Sequence, residues 1–374
     1  MRITKIEFAL YQYPLAKPLP MSCGVLTHRN FGIVRVHTDA GIDGIGETSI
    51  NFPPWIFQER KATIEEGLAG LLIGENPLEI GRLWYKMTRA VRGFTRMWSE
   101  GALMQAISGI DMALWDIAGK ECGKPVWMLL GGGHRSEAEV YATGYSVDQL
   151  VTGSVSEELA RQGYRSVKMR IGFHDEADIE NVRRVHRALE GRFHLLVDAN
   201  GAYPYPRARS IMRRLADVDL YWLEEPVLAD DLEGYLALHD EFPETPLAWG
   251  ENGFSVDIYQ RFCEAHAIDV VMPDPSRCGG LTQCVRLCET AARYGIPFSP
   301  HHYGSDIGFA AALHLVASQP DFRIMLRDVS DCPLREEILE EPFAVKDGKV
   351  GIPQKPGLGV AINAKVAQRY ARAL

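Results

Sequence analysis

From about residue 140 the chain repeats one pattern. A short apolar, β-rich run ends on a polar or charged residue, and an Arg/Glu-rich stretch of helical character follows. The runs occupy 140–144, 166–171, 193–199, 220–226, 246–251, 270–274, 297–302 and 322–328, and their starts lie 24 to 27 residues apart. That interval holds a strand, a helix and two loops, which is one βα unit. Eight nearly continuous apolar strands separated by helices predict an α/β fold with a closed parallel barrel; an open doubly wound sheet is the alternative.

The first 125 residues read differently. Two alternating runs, 5–13 and 32–38, predict strands, and Asp39-Ala40-Gly41 followed by Asp43-Gly44 predicts a turn. Further on, Leu103, Ala106, Ile107, Ile110, Leu114 and Ile117 recur at helical spacing, with Gly123 and Pro125 ending the element. Asp111 and Asp116 lie on that helix, where structural roles are expected of them. After the eighth run, 345–350 reads as a small hairpin.

Composition narrows the setting. Hydrophobic residues at 46% and charged residues at 24% suit a globular enzyme, and a net charge of −9 offers no footprint for nucleic acid or an anionic membrane. Seven cysteines, an odd number without a paired CxxC, predict free thiols in a reducing cytoplasm. The first seven residues alternate like a strand rather than forming an apolar leader, and no stretch approaches the roughly 18 apolar residues of a membrane helix.

In a parallel barrel, chemistry collects at the C-terminal ends of the strands. Read in order, those ends are Lys168 and Arg170, then Asp198-Ala199-Asn200, Glu224-Glu225, Glu251-Asn252, Asp274 and His301-His302. Alternation puts Lys168 and Arg170 on one face. Acids from three adjacent strands would repel one another in a shared mouth, and a hard divalent cation such as Mg²⁺ relieves that repulsion. Either Glu224 or Glu225 supplies the fourth strand's ligand. The alternative, that the acids pair with Lys168, Arg170 and helix N-termini, leaves two cations for four strand-end acids. A metal beside Lys168 and His301 suits removal of a proton α to a carboxylate, with charge stabilised on the carboxylate oxygens. Asp274 is placed to orient His301, while His302 points the other way.

These segments carry a resemblance. Ser108-Gly109-Ile110-Asp111, Val167-Lys168-Met169-Arg170, Val197-Asp198-Ala199-Asn200, Glu224-Glu225-Pro226, Gly250-Glu251-Asn252, Pro273-Asp274 with Gly279-Gly280, and Ser299-Pro300-His301 stand in an order similar to the mandelate racemase subgroup of the enolase superfamily. The resemblance runs the length of the chain. It implies an α+β capping domain over 1–125, a modified (β/α)7β TIM-like barrel over 126–345, and a segment 346–374 packing back on the capping domain. It implies Asp198, Glu224 and Glu251 as Mg²⁺ ligands, Asp274–His301 as the acid/base dyad, and Asn200 as a substrate contact. Loops near 21–29 and 51–55 would close over the site, offering His28, Arg29 and Trp55 to the substrate. A small-molecule carboxylate and self-association into a homo-oligomer complete what the family implies.

Two positions depart from the family's pattern. Its second strand usually reads Lys-x-Lys, with the second lysine as a base; here that position is Arg170, which stays protonated. Its eighth strand usually offers a glutamate, and here Leu326 stands in that place. Racemisation needs a base on each face of the α-carbon, so a one-sided reaction through His301 is favoured. Dehydration of a sugar acid fits: His301 takes the α-proton and returns it to the departing β-hydroxide. Racemisation or epimerisation with Lys168 as second base, and lactone cycloisomerisation, are the alternatives on the same chemistry. A Schiff-base aldolase using Lys168 and a non-catalytic binding protein are the more distant ones.

Overall fold

The computed structural model describes residues 1–21, 24–53, 55–90 and 100–374. Cys23 and parts of the 21–29 and 51–55 segments lie outside those residues. At the N-terminus β1 (Ile3–Met21), β2 (Gly24–Thr38) and β3 (Gly44–Thr48) form an antiparallel sheet. The first two strands extend well past 5–13 and 32–38, so most of 21–29 is strand rather than loop. The prolines at 14, 18 and 20 obscure this in the sequence. The strand accommodates them through a register shift between Pro14 and Leu19, where the ladder loses bonds that proline could not make.

The helix Glu100–Glu121 packs on this sheet, burying Ala106, Ile107, Ile110, Leu114 and Ile117. The approach is close enough that a Cβ on Gly46 would lie 2.2 Å from the Gly109 carbonyl oxygen, so only glycine fits at 46. Asp111 and Asp116 are structural. Asp116 accepts from the backbone N–H groups of Ile45 (2.9 Å) and Leu358 (2.8 Å), and Asp111 accepts from that of Thr282 (2.9 Å).

The parallel strands are β4 (Glu137–Thr143), β5 (Ser166–Arg170), β6 (His194–Asp198), β7 (Trp222–Glu224), β8 (Leu247–Trp249), β9 (Val270–Val271) and β10 (Met325–Asp328). They pair in chain order, and β10 pairs with β4. The seventh predicted run, 297–302, is not a full strand: Phe298 alone bridges Val271 on one side and Phe322 on the other, which closes the ring. A helix follows each of the first seven positions, ending with Asp306–Ser318, whereas β10 is followed only by the short helix Pro333–Glu337, of 5 residues. The fold is therefore a (β/α)7β barrel.

Inward-facing Tyr141, Leu196, Trp222, Ala248, Val270, Met272, Ile324 and Leu326 pack together as the barrel's inner core. Each such side chain contributes roughly 1.5–3 kcal/mol of burial. Leu326 belongs to this core and is not among the residues lining the cavity at the mouth. Beyond the barrel, β11 (Lys349–Gly351) pairs with the start of β4, and β12 (Ala371–Arg372) pairs with Leu10 and Tyr11 of β1.

Candidate active site

A cavity of about 680 Å³ opens where the barrel's C-terminal mouth meets the N-terminal sheet. Lys168, Arg170, Asp198, Asn200, Glu251, Asp274 and His301 line it from the barrel; Asn51, Trp55 and Arg60 line it from the other side. Glu224 lies just beneath, fully buried.

Strand register sets the lower layer. Lys168 Nζ donates to Asp198 Oδ2 (3.0 Å) and to both oxygens of Glu224 (2.8 and 3.0 Å). Burial alone would discharge Lys168, but Asp198 and Glu224 outweigh it and hold it protonated. Glu225 turns the other way, with φ +42°, and accepts from Asn252 (2.8 Å). That settles which of the two neighbours shares the Lys168 layer.

Glu251 is held by Arg277 (2.8 Å) and by His301 Nε2 (2.9 Å). His301 Nδ1 meets Asp274 Oδ2 at 2.7 Å, and Asp274 is fixed in turn by the N–H and hydroxyl of Ser276, both at 2.7 Å. Burial would lower the His301 pKa, yet Glu251 and Asp274 reverse this and carry it up to about 9. His302 is structural, with Nε2 against the Ser305 carbonyl at 2.8 Å.

The upper layer contains the surprises. Arg29 does not touch the cavity. It is fully buried, paired with Asp328 at 2.6 Å and donating to the Tyr303 carbonyl at 3.1 Å, and it ties β2 to β10. His28 is half-buried beside Thr27 on the hairpin and does not line the cavity either. Trp55 does line it, while 70% exposed. Asn200, in a left-handed conformation, turns a buried Oδ1 with no hydrogen-bond partner.

Three residues join the site that strand-end reasoning missed: Arg277, Tyr303 and Glu47. Arg277 follows Asp274 by one helical turn, and Tyr303 follows His301 by two residues, so both were within reach of a search past the strand ends. Glu47 comes from β3, and nothing local in the sequence points it at the barrel. Its carboxylate accepts from Ser305 N–H (2.9 Å), Ser305 hydroxyl (2.7 Å) and Gly308 N–H (2.9 Å).

The barrel side of the mouth thus gathers five buried carboxylates (Asp198, Glu224, Glu225, Glu251, Asp274) against three cations, Lys168, Arg170 and Arg277, and the N-terminal side adds Glu47 and Arg60. Burial and the neighbouring Asp198 push Glu224 up to about 7, a sign that Lys168 does not cancel the repulsion. Among the described residues no three acidic, histidine or cysteine side chains stand arranged as a finished metal cage; Lys168 sits between two of the acids and Arg277 holds the third. The donor set, all carboxylate oxygen with surplus negative charge, fits a hard divalent cation.

Two family patterns cover most of the chain. The N-terminal domain of mandelate racemase and muconate lactonizing enzyme matches residues 5–131, and the enolase C-terminal domain-like pattern matches 152–366. The chain belongs to the enolase superfamily. Among members of this superfamily and its relatives, D-galactarolactone cycloisomerase of Agrobacterium fabrum is 32% identical, covering 97% of each chain. D-galactonate dehydratase of Xanthomonas campestris pv. campestris is 33% identical, covering 90% of each. The solved 3,6-anhydro-D-galactonate cycloisomerase of Zobellia galactanivorans superposes with TM-score 0.88 at 30% identity over 100% of both chains. A racemase of Streptomyces coelicolor solved with bound magnesium superposes with TM-score 0.88 at 28% identity, covering 99% of this chain and 100% of that one. The protein is an enzyme of the enolase superfamily whose relatives are lyases and isomerases. Among its described residues no helix is long and apolar enough to cross a membrane.

Proposed function

We propose that this enzyme dehydrates a sugar acid, an aldonate or aldarate, by removing the proton α to the carboxylate and expelling the β-hydroxyl. The observation that carries the reading is the buried His301–Asp274 pair at 2.7 Å beside Glu251, with Arg170 in the slot where a second base would stand. Asp198, Glu224 and Glu251 would hold Mg²⁺, which, when bound, supplies positive charge to the substrate's carboxylate oxygens as the α-proton leaves. His301 Nε2 is the base. Asp274 accepts from Nδ1–H and fixes the ring; Nε2, which meets Glu251 at 2.9 Å here, would be free to take a proton once Glu251 is engaged by the metal and the imidazole is neutral. Lys168 stays charged beside the carboxylate site, and Arg170 and Asn200 orient the hydroxylated chain. Trp55 shields the cavity from above. The same reading assigns 1–125 to capping, 126–345 to the barrel and 346–374 to a return segment. It places the enzyme in the cytoplasm as a homo-oligomer, with free cysteines at all six described positions as support.

A second reading has its own support. The two cycloisomerases align over 97–100% of the chain, against 90% for the galactonate dehydratase, so expulsion of a lactone or ring oxygen from the β-carbon is the rival. Incubation with Mg²⁺ and a panel of aldonates, aldarates and their lactones in D₂O, followed by proton NMR, separates the two. A 2-keto-3-deoxy product from an open-chain acid supports dehydration, and turnover of lactones alone moves the assignment to cycloisomerase. Inversion at the α-carbon without elimination sinks both.

A further inference from the structure

Both readings share one requirement beyond removal of the α-proton. Whether a hydroxyl or a ring oxygen departs, it leaves the β-carbon with the bonding electron pair, and that developing charge needs a donor on the protein. Arg170 is the one guanidinium of the mouth without a hydrogen bond or ion pair among the described residues, and its Nε is buried with no partner. Its guanidinium lies over the Tyr303 ring, 5.0 Å from the centroid. The Tyr303 hydroxyl is itself buried and unpartnered, although the residue lines the cavity. A buried hydroxyl without a partner is costly, so its persistence asks for a ligand.

The ring is also held in place. Asn51 Nδ2 and Arg29 each donate to the Tyr303 carbonyl at 3.1 Å, and Arg29 stacks over the ring at 3.8 Å. On the other side, a Cβ on Gly304 would fall 2.4 Å from Glu47 Oε1, so the chain there runs tight against a carboxylate anchored to Ser305 and Gly308. Three residues of the N-terminal sheet region thus fix one barrel side chain whose polar atom has no structural use.

We propose that Tyr303 is a catalytic residue: with Arg170 it receives the oxygen that leaves the β-carbon. The inference rests on the elimination chemistry proposed above. The α C–H bond breaks at His301 Nε2, and its electron pair passes through the carboxylate-stabilised anion to form the Cα=Cβ bond. The Cβ–O bond then breaks, and the oxygen keeps its pair while accepting hydrogen bonds from the Tyr303 hydroxyl and the Arg170 guanidinium. A hydroxide leaves as water and a ring-ether oxygen as an alcohol, each with the proton His301 removed; a lactone oxygen leaves as a carboxylate, and that proton passes from His301 to solvent. The enol that remains tautomerises to the 2-keto acid with a solvent proton.

Tyr303→Phe tests this, because it removes one oxygen and keeps the ring under both guanidinium groups. In D₂O, with the sugar acid or lactone that the wild type turns over, the variant is expected to keep exchanging the α-proton. Its elimination should fall roughly 100-fold, the usual loss for one oxyanion donor, so the ratio of exchange to product rises. An unchanged ratio, with both steps kept or both lost together, overturns the assignment. A thermal midpoint matching the wild type's confirms that the fold is intact; if it is not, the ratio in Tyr303→His, which restores a donor, decides in the same way. Absence of elimination by the wild type on the whole panel is the separate result that removes the parent reading.

Discussion

His301 and Asp274 stand 2.7 Å apart with neither open to solvent, and the other face of the imidazole meets Glu251 at 2.9 Å. One nitrogen is thereby committed to orientation and the other to chemistry. Replacing the ring tests the commitment. His301→Asn is expected to keep the fold and metal affinity while α-proton exchange falls by roughly 10²–10⁴, the range for a general base. Deuterium incorporation followed by NMR reads this directly, and an undiminished exchange rate would falsify the dyad.

Glu251, the proposed Mg²⁺ ligand nearest the base, meets His301 at 2.9 Å. Glu251→Gln removes a charge that Arg277 and His301 both face, so the variant should lose Mg²⁺-dependent thermal stabilisation and turnover together. The check is a melting series with and without Mg²⁺, alongside the activity assay. A variant that is still stabilised by Mg²⁺ would exclude Glu251 as a ligand.

Arg170 decides one-sidedness. Arg170→Lys puts a titratable amine where the guanidinium now lies over Tyr303. We expect the variant to acquire inversion at the α-carbon and to lose elimination, since a base appears on the second face as a charge-compensating fork disappears. Chiral analysis of recovered substrate is the measurement. Recovered substrate of one configuration only would show that the slot does not face the α-carbon.

The barrel was legible in the sequence because its strands are buried on both faces, so each is a clean apolar run at a regular interval. The run at 297–302 misled in one respect: Pro297 and Pro300 withhold the ladder donors that a full strand needs, and only Phe298 pairs. The N-terminal hairpin was underestimated for the same kind of reason, its prolines at 14, 18 and 20 reading as loop. Arg29 reads as a loop residue facing the substrate because burial is invisible in a sequence; the structure pairs it with Asp328 instead. A surface arginine and one whose guanidinium is matched to Asp328 on the opposite domain look alike until the register brings 29 and 328 together. Tyr303 and Glu47 depend on contacts across 250 residues or more, which no local pattern encodes.

That Arg29–Asp328 pair supports a stability prediction. Arg335 also meets Asp328, at 3.1 Å, and the two guanidinium groups hold its carboxyl well below the usual range despite burial. Asp328→Asn leaves the buried Arg29 without a counter-charge, while Arg335 keeps Glu336 at 3.3 Å; a buried pair broken from one side costs about 3–5 kcal/mol. A lowered urea midpoint with an unchanged slope is expected, and a loss below about 1 kcal/mol would show that solvent reaches the pair.

A second buried group sets how stability responds to acid. His314, on the helix Asp306–Ser318, is fully buried, and its Nδ1 accepts from the Trp127 N–H at 3.2 Å. Burial pushes its pKa down to about 4, from 6.5 for the free side chain. A group whose pKa is depressed on folding stabilises the fold fully above the unfolded value, and that contribution is lost as pH falls through the folded one. Between pH 6.5 and 4 the unfolded chain binds a proton at this position that the folded chain refuses, so stability drops by roughly 3 kcal/mol over that window. His302, also pushed down to about 4 by burial, contributes in the same direction, so the single variant is the informative comparison. In His314→Gln, which keeps an acceptor for Trp127 but cannot be protonated, the fall in unfolding free energy from pH 6.5 to 4 should be shallower than in wild type by about that amount. Parallel curves for the two proteins would mean that His314 is protonated in the folded state, and that the helix carrying it opens to water more readily than its burial implies.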